Sequence, residues 1–149
     1  MKRLRAIIVA FVPFLAGGLP VLGASSMAQR SAEAMNDLTL IERRAEIRLP
    51  SDAKLVYFSH ETAGEEAIRA KILLPSGGLE RFLSENSLAA HQFSVIDHGL
   101  LGSDEGEWDP AGQTAFPVFS RQMRDGAYLY LGYLPQDAGV LVYLHWFRT

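Results

Sequence analysis

The sequence predicts an α+β domain built on a small antiparallel sheet. Two segments, about 54–74 and 127–147, each read as a pair of strands joined by a turn, and a short helical stripe at 76–86 lies between them. In both hairpins the side chains divide with period two between unlike faces, as strands with one wet face do. Strands paired in hairpins, with a helix laid on one face, define the α+β class.

The chain begins with a different kind of signal. Met1-Lys2-Arg3-Leu4-Arg5 is cationic, Ala6 to Leu22 is apolar, and Gly23-Ala24-Ser25-Ser26-Met27-Ala28 is small. Those are the three parts of a secretory signal peptide, so residues 1–28 are expected to be removed on export to the periplasm or beyond the cell. Ser26 and Ala28 supply the small-x-small pattern for cleavage after Ala28, and cleavage after Ser26 is the near alternative. An uncleaved anchor is the rival reading, because about 17 residues is the shortest span a helix uses. Pro13, Gly17, Gly18 and Pro20 interrupt that run and weaken it as a lone lipid-facing helix. No cysteine follows it, which excludes a lipoprotein.

Residues 29–50 form an N-terminal segment, partly helical. Its first eight residues are small and polar and read as a mobile start. Asp37 is placed to cap a helix carrying Leu38, Ile41 and Ala45 on one face, which Pro50 ends. Residues 51–149 are expected to make the single α+β domain. In its first hairpin, Lys54–His60 and Glu66–Leu74 pair with Phe58 opposite Ile68 and Val56 opposite Ala70. Val56, Phe58, Ile68, Ala70 and Ile72 then share one face, and Leu55, Tyr57, Arg69 and Lys71 the other.

Ser76 is the expected N-cap of the helix at 76–86, with Leu79, Phe82 and Leu83 as its apolar stripe against the first hairpin. Residues 87–125 hold a possible strand at Gln92–Ile96 and then a long glycine- and proline-rich stretch. Trp108, Phe116 and Phe119 within it argue for a packed loop folded over the sheet rather than disorder.

The second hairpin pairs 127–134 with 139–147 across Pro135-Gln136-Asp137-Ala138. Closing a four-residue turn sets Leu131 opposite Val142, Leu129 opposite Leu144 and Ala127 opposite Trp146. The other face carries Tyr128 opposite His145 and Tyr130 opposite Tyr143, an aromatic platform with a single histidine.

The composition excludes several classes. Formal net charge is −3, and three cations lie in the first five residues, so the mature chain stands at −6. Such a chain lacks the electrostatic footprint for nucleic acid or an anionic membrane surface. There is no cysteine, hence no disulfide, thiol redox chemistry or thiolate metal site; packing alone must stabilise the fold. No stable membrane insertion is expected after cleavage of the signal.

No catalytic, phosphate-binding or metal motif stands clear of background. Ser59 and His60 are strand neighbours and point to opposite faces. No Gly-x-Ser-x-Gly elbow is present. His91, Asp97 and His98 make at most a partial metal set, and Asp104-Glu105-Gly106-Glu107-Trp108-Asp109 lacks the pattern of an EF-hand loop. It reads as a solvated acidic loop anchored by Trp108. His60 reads as a surface partner of Glu66.

The most informative surface is therefore the platform. Trp108, Tyr128, Tyr130, Tyr143 and His145 are the candidate ligand or partner face, unless residues 87–125 cover it as a second core layer. The leading functional expectation is an exported, non-catalytic binding or accessory domain for a protein or small-molecule partner, with no cofactor and no catalytic residue assigned. The alternatives are a small metal-assisted hydrolase whose His60, His91, His98 and His145 converge in space, and a membrane-tethered envelope component.

Overall fold

The computed structural model describes residues 22–149, with side chains described from residue 29. The cationic start and most of the apolar run of the expected signal lie outside the described residues. Helix α1 (Leu22–Ala45) leads into β1 (Lys54–Glu61), β2 (Glu66–Leu74), α2 (Gly78–Glu85), β3 (Val118–Gln122), β4 (Tyr128–Gln136) and β5 (Gly139–Arg148). Two short 3-10 helices, Ala90–Gln92 and Val95–Leu101, lie between α2 and β3. The five strands form one sheet in the order β1-β2-β5-β4-β3, antiparallel throughout. This is the α+β architecture expected, with β3 added.

The helical side of the sheet is the main core. Ile68, Ala70 and Ile72 of β2, Leu129 and Leu131 of β4, and Val142, Leu144 and Trp146 of β5 are all buried there. Helix α2 drives Phe82 into them, and α1 adds Ile41 and Ala45 with Leu38 beside them. The apolar stripes expected for both helices are thus the faces that pack. The Trp146 ring lies between the guanidinium groups of Arg44 and Arg148, each 5.6 Å from its centroid. Arg44 also pairs with Glu66 at 2.7 Å, which fastens α1 to the first hairpin.

Helix boundaries differ from expectation. Residues 29–36 are helical rather than a mobile start, since alanine, glutamine, arginine, glutamate and methionine are all good helix formers. Asp37 therefore sits inside α1 and caps nothing. The N-cap of α2 is Gly77 in a left-handed conformation (φ 76°), not Ser76, because the turn that follows Pro75 needs positive φ. Asn86 closes that helix and joins it to the chain after α1: its side-chain amide donates to the Phe82 and Arg48 carbonyls and its oxygen accepts from the Arg48 amide.

Both hairpin registers move by two residues. In the first, Phe58 faces Ala70 and His60 faces Ile68, and a bulge between Leu55 and Tyr57 turns Leu55 to the core side opposite Ile72. Val56 is left on the surface at the bulge. In the second, the loop is Asp137-Ala138 alone, so Leu134 faces Leu141, Leu131 faces Leu144, Leu129 faces Trp146 and Tyr130 faces His145. Pro135 stays within β4 because its missing N–H would point away from β5, past the end of β3. A slip of two preserves which face each side chain occupies, so the split into faces survives in both hairpins apart from Leu55 and Val56.

Gln92–Ile96 is not a strand; only Ser94 makes a single β-bridge, to Val118. The strand in this region is β3, joined to β4 by a loop in which Gly126 (φ 86°) takes the left-handed position. Asp125-Gly126 between two alternating runs is a hairpin signal that the sequence carried.

Candidate functional site

The second face of the sheet is organised in cross-strand rows. Tyr57, Lys71, Tyr143, Gly132 and Val118 form one row, and Ser59, Arg69, His145, Tyr130 and Ser120 the next. Beyond these lie Phe147, Tyr128 and Gln122.

The segment 95–117 covers the first of these rows. Leu101, Trp108 and Phe116 pack with Val118, Leu141 and Tyr143 into a second, smaller core. Phe116 stacks on Tyr143 with ring centroids 5.0 Å apart, and Trp108 meets Tyr143 edge-on at 5.4 Å. The indole N–H of Trp108 donates to the Leu101 carbonyl at 3.2 Å. The acidic segment turns back on itself through paired Glu105 and Trp108 backbone bonds, and the carboxylates of Asp104, Glu105 and Asp109 are spent on the protein. Asp104 accepts from the Ala111 and Gly112 amides, Glu105 pairs with Arg69 at 2.8 Å, and Asp109 pairs with Lys71 at 3.0 Å.

Asp109 also accepts from the Tyr143 hydroxyl at 2.9 Å and from Gln113. Partial burial opposes its charge, but these donors outweigh that and hold its carboxyl below the usual range. Burial first, and the adjoining Asp109 second, push the Tyr143 phenol well above its ordinary value.

The segment reaches the next row only at Arg69, through Glu105, and at His145, which Trp108 meets at 6.2 Å; the rest is left open. Tyr128, Tyr130, His145 and Phe147 are all half-buried. Tyr128 stacks on Phe147 at 5.4 Å, and His145 lies 5.1 Å from Phe147 and 6.0 Å from Tyr130. Burial, and then Arg69, push the His145 imidazole down to about 4, so it is neutral at ordinary pH. Its Nδ1 is buried without a hydrogen-bond partner. Arg69 is held across the row by Glu61 as well as Glu105. A recess of about 270 Å³ opens beside these rings, lined by Leu100, Ser120, Arg121, Gln122, Tyr128 and Tyr130. Leu100 of the second 3-10 helix lines it, and Val95 and Ile96 of the same helix are also exposed. A larger groove runs between α1 and α2 past Glu42, Arg43 and Arg48, but it is shallow and Glu42 there is occupied in accepting from the Leu49 amide.

Of the five residues singled out from sequence, then, Tyr128 and Tyr130 border open space, and His145 is half-buried beside Trp108, 6.2 Å away. Trp108 and Tyr143 are buried beneath the covering segment. The four histidines lie apart in the fold: His60 pairs with Glu66 at 3.1 Å, His91 lies in the first 3-10 helix, His98 packs edge-on against Phe116, and His145 lies on β5. Among the described residues no three His, Asp or Glu side chains are grouped to hold a metal ion. The Ser94 hydroxyl accepts from the Ile96 amide as a helix cap and contacts neither nearby histidine. Phe147, which the sequence also places on the platform, belongs to the open face; Ser120 and Gln122 join it there and were not singled out, since β3 had to be placed before they could be seen beside it. Among the described residues no helix is long and apolar enough to cross a membrane. Comparison with known protein families, with curated proteins and with solved structures finds no match.

Proposed function

We propose that this protein is an exported, non-catalytic binding domain whose contact surface is the uncovered half of the second sheet face. One observation carries the reading: the covering segment buries Tyr143 completely and reaches His145 through Trp108, yet leaves Tyr128, Tyr130 and Phe147 half-exposed. Aromatic rings with polar tips, held by neighbours on a rigid sheet, bury contact area at little entropic cost. The export signal and the acidic mature chain support a role outside the cytoplasm.

The test is to recover the full chain from cells that export it, with Tyr128 and Tyr130 both changed to Ser, beside the wild type. A variant that keeps its thermal transition but loses what the wild type carries supports the proposal. An unfolded variant assigns this face to the core, and unchanged recovery removes it from binding; either result ends the reading. Intact mass settles the export step, since a chain beginning at Gln29 has been cleaved. Retention of Met1 would favour the tethered reading.

A further inference from the structure

The outer edge of β3 is unfinished in a specific way. Tyr133 donates its amide to Pro117, and the two-residue loop makes Gln136 and Gly139 the closing pair of the β4–β5 hairpin. By the alternation of antiparallel bonding, Leu129 and Leu131 bond towards Arg121 and Phe119 of β3. The N–H and C=O groups of Val118, Ser120 and Gln122 therefore point outwards. Those of Val118 are taken by Ser94, at 2.8 and 2.9 Å. The chain then turns into the 3-10 helix Ala90–Gln92, whose Gln92 and Phe93 amides bond locally, and the edge continues uncovered past exposed Ser120 and Gln122.

We infer that this edge receives an extended peptide segment of a partner protein, carrying apolar and acidic side chains in alternation. The inference rests on the proposed contact face, because the added strand borders it. Three features select that occupant. Four outward backbone groups continue a bridge that Ser94 has begun, which is the template for strand addition. The 270 Å³ recess runs along Ser120, Arg121 and Gln122 to Leu100, Tyr128 and Tyr130, and takes apolar side chains from one face of the added strand. On the other side, Arg121 and Arg124 border the same edge in a recess shared with Glu46; Arg121 donates to the Ala45 carbonyl at the end of α1, and Arg124 is exposed and in no ion pair with any described residue. Two positive charges beside a strand edge, one of them exposed and unpaired, match acidic side chains on the incoming strand.

A second copy of this chain fits less well. A two-fold pairing that uses both Ser120 and Gln122 centres on Arg121 and sets it directly opposite its own copy, where like charges are unfavourable.

The experiment is a titration of the isotope-labelled full chain with a blocked seven-residue peptide of alternating Glu and Leu, followed by amide and ring resonances. The expected result is slowed solvent exchange of the Ser120 and Gln122 amides, by about tenfold or more, with shifts in the Tyr128 and Tyr130 rings. Methylating the peptide nitrogens that face the edge should abolish both effects. Arg124→Glu should weaken binding by about tenfold without moving the thermal transition. Ring shifts with unchanged Ser120 and Gln122 exchange would overturn strand addition and leave the contact face standing. Slowed exchange without ring shifts would keep the edge and remove the face. No response of either kind at millimolar peptide overturns strand addition, and the Tyr128/Tyr130 variant then judges the face by itself.

Discussion

The Tyr143 hydroxyl donates to Asp109 at 2.9 Å and thereby ties the covering segment to the central strand of the sheet. Lys71, from the neighbouring strand, reaches the same carboxylate and also the Glu107 carbonyl at 2.8 Å. One carboxylate thus gathers three donors from β2, β5 and the segment itself. How far the cover extends over the face depends on this junction.

Asp109→Asn should destabilise the fold at neutral pH by about 1 kcal/mol, a modest figure because the carboxylate is 38% exposed and water screens it. A carboxyl whose folded pKa is depressed adds stability that is fully present above its unfolded value, about 3.9, and is lost as pH falls through the folded value. The wild type should therefore converge on the variant below about pH 4. Denaturant melts at pH 7 and pH 3 measure both values.

His145 acts in a different pH window. The unfolded chain takes up its proton near pH 6.5, whereas the folded protein resists until about 4. Between those values the unfolded state holds more protons, so this contribution is complete above pH 6.5 and declines towards pH 4, by roughly 3 kcal/mol. His145→Gln should flatten that part of the stability curve and leave the acid limb due to Asp109 in place.

Gly132→Ala should loosen the cover. A Cβ at this position would lie 2.4 Å from a ring carbon of Phe116 and 3.2 Å from Leu101, so the ring must move. A loss of about 1–3 kcal/mol is expected, with a red shift in the emission of Trp108 as water reaches it. An unchanged spectrum and melt would show that the cover adjusts freely.

The two sides of the sheet should respond unequally to truncation. Phe82 is 1% exposed in the main core, and Phe82→Ala should cost about 3–5 kcal/mol. Tyr128→Ser, on the open rows, should cost about 1 kcal/mol or less. Thermal unfolding of the pair measures the contrast directly.

What the sequence by itself determined is the division of side chains between faces. Leu129, Leu131, Val142 and Leu144 read as one apolar face, and Tyr128, Tyr130, Tyr143 and His145 as the other; because alternation depends only on the pleat, a register error of two left both sets intact. Ile41 and Ala45, and likewise Phe82, announced their buried positions through helical spacing for the same local reason. The tertiary structure decided the rest. The bulge that brings Leu55 inward depends on pairing with Ile72, and β3 depends on an edge of β4 that only the folded sheet presents. The burial of Trp108 and Tyr143, against the exposure of Tyr128 and Tyr130, follows from where a glycine- and proline-rich segment comes to rest. That resting place is set by Lys71, Tyr143 and Gly132, residues that lie far from the segment in the chain and meet it only across the sheet.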